Sequence, residues 1–152
     1  MIEVFLTFVS RVIVHPANFT ALGAFAATNN KNKYSILTTL FVVWLSDIVV
    51  NLIYYPDNIV LFGDLWIYLS YMLITLLSYY TNTLLLPVMS SVVFFLLSNF
   101  GVYASGYYGY TINGLVNCYL YALPFYTNTL LGDVFYTYLI FQLNKYKAYE
   151  FI

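Results

Sequence analysis

The sequence predicts an all-α polytopic membrane protein, and three observations carry that reading. The 152-residue chain is 62% hydrophobic, and only 7% of its residues are charged. Soluble domains carry about 25% charged residues. Apolar runs of about 20 residues, the length that spans a bilayer as a helix, recur along the chain. Five Lys/Arg and six Asp/Glu are too few to cover a water-facing globule. The expected architecture is one integral membrane domain, 1–152, with about six transmembrane helices and five as the other count. A short outer helix precedes the last span.

The first segment, 2–14, is apolar up to "RVIVHPANFT" and lacks a basic lead or a small-residue cleavage site, so it reads as a retained span. Segment 19–28 is short and rich in small residues. The two form two short spans, or one span broken at His15-Pro16. The polar loop "NNKNK" leads into a clean span, 34–53, and "YYPDN" turns the chain into the next, 59–80. A further span, 83–103, ends in the Gly/Tyr loop "ASGYYGY".

The last stretch runs from Tyr110 to Asn144. As one helix it would be near 50 Å long, against a hydrocarbon core of about 30 Å. Pro124 argues against a regular helix through it. Lys31 and Lys33 should share a side with Lys145 and Lys147, which favours an even number of crossings between the pairs. The expected solution is a shallow or re-entrant outer helix, 110–126, followed by a single crossing, 128–144. The hexamer YTNTLL occurs at Tyr80–Leu85 and again at Tyr126–Leu131. Both copies read as helix starts, with Asn or Thr capping exposed N–H groups.

On that topology the buried polarity collects in the outer third. Asp47, Asp64 and Asp133 each fall within a few residues of an outer helix end, with Asn99 near another and Arg11, His15 and Asn18 at the end of the first segment. A charged side chain costs at least about 2.5–3.5 kcal/mol at the centre of a spanning helix. These aspartates therefore need partners, water or a role, and Arg11 can neutralise only one. A hydrated, net-acidic pocket for a polar or weakly cationic solute is the functional reading. Helix capping is the competing one for Asp64 and Asp133, because a carboxylate near a helix N-terminus also gains from the macrodipole. His15 before Pro16 reads as a loop hydrogen-bonder, since no second His exists to complete a metal site.

Other classes are disfavoured. A net charge of −1 does not suit nucleic acid. The lone Cys118 rules out an internal disulfide. Nucleotide loops, HExxH and nucleophile pairs are absent from the sequence, so an enzyme and a bound cofactor are not expected. Ala17/Ala21 and Gly23/Ala27, spaced four apart, would let another helix approach closely, either within the chain or from a partner.

At "HPANFTALGAFA", "LSD", "SNFGVYASG" and "LPFYTNTLLGDVFYTYLIF" the chain resembles a family of small, uncharacterised bacterial integral membrane proteins. That family in turn resembles the substrate-binding S-components of energy-coupling-factor vitamin transporters, with Pro124, Phe125, Asn128 and Gly132 at the lead-in to the last helix. The resemblance implies solute capture from outside. Asp47, Asn99, Asn128 and Asp133 would face the ligand, with Asn18 nearby and Arg11 as counter-ion. Ala17, Ala21, Gly23 and Ala27 would meet an energising membrane subunit that works with ATPases. The alternative is a structural or assembly subunit of a larger membrane complex. Either would sit in the lipid bilayer of a bacterial or organellar inner membrane.

Overall fold

The computed structural model describes residues 2–13, 15–30, 33–57 and 60–150; Val14, Lys31 and Ile59 of the readings above lie outside these. Every regular element among the described residues is helical. The order is α1 (Ile2–Val12), α2 (Leu22–Thr28), α3 (Ser35–Tyr54), α4 (Leu65–Ser78), a 3-10 turn at Thr83–Leu85, α5 (Leu86–Ala104) and α6 (Ile112–Glu150). Ser35–Tyr54 and Thr83–Ala104 are long and apolar enough to cross a membrane.

α2 is the centre of the fold. All seven of its residues are buried, and it packs against every other helix. At about 1.5 Å per residue it rises only about 10 Å, so 19–28 does not form a span. Its Gly, Ala and Thr side chains are small enough for the longer helices to close round it. Leu22, Ala26 and Ala27 join Val43, Tyr71, Ile74 and Leu86 in the main apolar core. Ala21, Gly23 and Ala27 are therefore used up inside the chain and present nothing to a partner, while Ala17 is exposed in the preceding loop.

Buried hydroxyls largely satisfy themselves on their own helices. Thr28 donates to the Ala24 carbonyl, Ser70 to Trp66, Ser91 to Pro87 and Thr129 to Phe125. This back-bonding lets a helix carry Ser and Thr in apolar surroundings without orphaned donors. The Thr75 hydroxyl donates to Thr39 Oγ1 at 3.1 Å, linking α4 to α3.

The last 39 residues of regular structure form a single helix. The expected break between an outer helix, 110–126, and a span, 128–144, is absent, and Pro124 lies inside α6. A proline removes one hydrogen bond, but neighbouring helices hold the rest of the turn in place. α6 runs antiparallel to α5: Cys118 donates to the Asn99 carbonyl, Tyr119 to Leu96, and Ser91 to Asp133. α4 also starts later than the expected 59–80, because Asp64 is its N-cap and accepts from Trp66 N–H at 2.9 Å.

The end of α2, the start of α3 and the end of α4 meet at one end of the bundle. Asn29 Nδ2 reaches the Ser35 carbonyl and the Thr38 and Thr39 hydroxyls, and Asn30 Nδ2 donates to the Ser78 carbonyl. Asn144 Nδ2 donates to Glu3, joining the late part of α6 to the start of α1.

Candidate functional site

A partly open cavity of about 270 Å³ lies between the helices, and all six contribute to its lining. The loop between α1 and α2 supplies His15, Asn18 and Thr20. This loop is tightly turned: Phe19 N–H donates to the Pro16 carbonyl, Thr20 N–H to that of Asn18, and Asn18 sits at φ 65°. Asn tolerates this left-handed conformation better than most residues. His15 Nδ1 lies 2.7 Å from the Pro16 carbonyl oxygen, consistent with a loop role. Among the described residues no group of three or more His, Cys, Asp or Glu side chains could hold a metal ion.

Gly132 lets this loop approach α6. A Cβ there would lie 3.3 Å from both Phe19 Cα and Thr20 N. The Phe19 ring then packs on Phe135 and Tyr136 at centroid distances of 5.9 and 5.7 Å.

Two carboxylates line the cavity, and their surroundings differ. Asp47 pairs with Arg11, whose guanidinium also donates to Ser46 Oγ at 2.8 Å. Tyr68 OH donates to the second Asp47 oxygen at 3.1 Å and itself accepts from Gly63 N–H. This pair is partly buried, with side chains 19% and 13% exposed.

Asp133 is 1% exposed and has no cationic partner among the described residues. It accepts from Ser91 Oγ at 2.9 Å and lies against the Ala24 backbone N–H. The N-cap position of α2, Ala21, has no side chain able to cap. Asp133 reaches across from α6 and serves that helix end instead. Ser90 Oγ, fully buried, stands at the same spot beside the carboxylate.

Of the residues singled out from sequence, Arg11, Asn18, Asp47 and Asp133 line this cavity. Asn99 does not; its amide donates to the Phe95 carbonyl of its own helix, and it lines a smaller adjoining cavity of about 80 Å³. Asn18, Phe94 and Thr129 line both cavities. Asn128 lines neither, and Asp64 is an exposed helix cap. Asp133 also does not lie five residues from a helix start, as expected. It lies in the second half of α6 beside Ser91, close to the start of α5, because α6 begins far earlier than expected.

A family model matches residues 1–151. The chain belongs to DUF6580, a family of unknown function. No curated protein and no solved structure matches it.

Several site residues escaped the sequence reading. Thr129, one place beyond Asn128, turns its buried side chain to both cavities. Tyr71 and Phe94 supply an aromatic wall, with ring centroids 5.3 Å apart. Ser90-Ser91 was a detectable signal: a polar island within the apolar run "VMSSVVFF" marks where a buried carboxylate could be received.

Proposed function

We propose that this chain is an integral membrane protein that binds a small polar solute in its central cavity and takes part in solute uptake. The carrying observation is the convergence of Arg11, Asp47, Asp133, Asn18 and Thr129 on one cavity inside a single chain. Arg11, Asp47 and Asp133 are costly to bury, and a ligand that uses them offsets that cost.

Membrane residence is supported by what α3 and α5 leave uncovered. Only 22% and 28% of their most apolar windows are buried, so neither behaves as the core helix of a soluble protein. Leu37, Phe41, Leu52 and Ile53 on α3, and Val88, Leu96 and Phe100 on α5, face outward. Lipid is the solvent that suits such a surface. In this reading α3, α4, α5 and α6 cross the bilayer, which puts Lys33 and Lys145 on one side, as the positive-inside tendency favours. α1 and α2, at about 16 and 10 Å, enter as a broken pair from that side. Broken helices around a mid-membrane cavity are a recurrent arrangement in transporters.

The likeness to S-components would add an energising membrane subunit and ATPases. Such a contact would have to use the outer faces of the longer helices. A second reading, an assembly subunit of a membrane complex, draws on the apolar groove between α5 and α6. That groove, of about 470 Å³, is lined by Phe95, Leu96, Leu115, Val116, Tyr119, Leu120 and Leu123.

Native mass spectrometry of the purified protein separates the two. A retained small molecule that is lost on Asp47→Asn or Thr129→Val supports solute binding. Retention of other protein subunits, with an empty cavity, supports the assembly role and overturns the solute reading.

A further inference from the structure

Resting on the solute-binding reading, we infer that the cavity takes a small organic cation: an ammonium group held between the Asp133 carboxylate and the aromatic faces of Tyr71 and Phe94. The charged groups that line the cavity are Arg11, Asp47 and Asp133, with His15 the one other ionisable side chain besides Tyr71. Arg11 and Asp47 neutralise each other as an ion pair. That leaves Asp133 as the carboxylate of the lining with no ion-pair partner among the described residues.

Hydrogen bonds do not take the place of that partner. Ser91 Oγ and the Ala24 N–H satisfy lone pairs of the carboxylate, yet the nearest guanidinium is already engaged with Asp47 and Ser46. A buried, unpaired carboxylate is costly in surroundings of low polarity, and an entering cation offsets that cost directly. An anion or a zwitterion would meet the same charge as repulsion in at least one orientation.

A further observation points to a ligand rather than to internal packing. Tyr71 and Phe94 form an aromatic pair on the cavity wall. An ammonium lying over such rings gains from the ring quadrupole, and quaternary ammonium groups are recognised in this manner. Asn18 and Thr129 then offer polar contacts to a hydroxyl or amide elsewhere on the solute.

The test uses the purified full chain in detergent, with methylammonium, tetramethylammonium and choline as probes. The neutral carbon isostere of choline, 3,3-dimethylbutan-1-ol, and the anion propionate serve as controls. Binding is read by equilibrium dialysis and by the shift in melting temperature. The expected result is that at least one cation binds about tenfold or more tighter than the isostere. That preference should be lost in Asp133→Asn and reduced in Phe94→Leu, the second variant keeping the carboxylate that ties α2 to α6. If the isostere or propionate binds as well as the cations, the cation assignment falls and solute binding stands. A folded Asp133→Asn protein with undiminished cation preference also overturns it. If no probe binds and native mass spectrometry finds no retained small molecule, both readings fall.

Discussion

The backbone of Gly23 and the carboxylate of Asp133 are in direct contact, with no room between them for a Cβ. A methyl group at Gly23 would collide with both Asp133 oxygens and would lie 2.6 Å from Ser90 Oγ. Both neighbours are short side chains on packed helices, so neither can swing away. Gly23→Ala is expected to destabilise the protein by about 1–3 kcal/mol, the range for overpacking a core. A thermal melt in detergent measures this. An unchanged melting temperature would show that α2 and α6 are not packed this closely.

Asp133 supplies an acceptor for the N-terminal end of α2, which has no capping side chain of its own. Asp133→Asn keeps one acceptor oxygen there, whereas Asp133→Ala leaves the Ala24 N–H without that acceptor and Ser91 with only the Pro87 carbonyl of its own helix. The alanine variant should therefore be less stable than the asparagine variant, by about 1–3 kcal/mol for the unsatisfied groups. Parallel denaturation of the two variants decides it. Equal stability would mean that the carboxylate does not tie the two helices together.

The Arg11–Asp47 pair calls for a different comparison. Removing Arg11 alone leaves the Asp47 charge to Tyr68 OH, and removing Asp47 alone leaves a partly buried guanidinium beside Ser46. Arg11→Met and Asp47→Leu should each destabilise. The double variant should be no worse than the poorer single one, because no uncompensated charge remains. Strict additivity in this cycle would show that the two side chains act independently.

These particulars show how far the sequence could be read. Composition alone pointed to the helical class, and α3 and α5 begin and end close to 34–53 and 83–103, since a long apolar run with polar flanks marks its own limits. The same logic failed at Pro124, where a local rule about proline gave way to packing along a continuous α6. It failed at YTNTLL for a related reason. In the first copy Asn82 caps the 3-10 turn through Leu84 N–H, but the second copy lies mid-helix, where Thr127 and Thr129 bond back to their own helix. One hexamer serves two structural roles because its neighbours decide which backbone groups are free. Arg11, Asp47 and Asp133 were legible because a charge so close to apolar runs is costly, whereas Asn18 is exposed in its loop. Tyr71, Phe94 and Thr129 were not, because in this chain aromatics and hydroxyls are everywhere and only the fold selects those that face the cavity.

The continuous α6 also changes what topology mapping should find. With α3 to α6 as the crossings, single cysteines at Lys33 and Tyr80 lie at one end of the bundle and a cysteine at Tyr107 at the other, all at exposed positions. Cys118 is buried and would be replaced by alanine to clear the background. A membrane-impermeant thiol reagent applied to oriented vesicles should label Lys33→Cys and Tyr80→Cys from one face and Tyr107→Cys from the opposite face. Thr127→Cys, mid-way along α6 and facing outward, should be labelled from neither, since lipid would cover it. Strong labelling at Thr127 from the Tyr107 side would restore a break near Pro124. Labelling of Tyr80 and Tyr107 from the same face would remove α5 as a crossing, and the four-crossing arrangement with it.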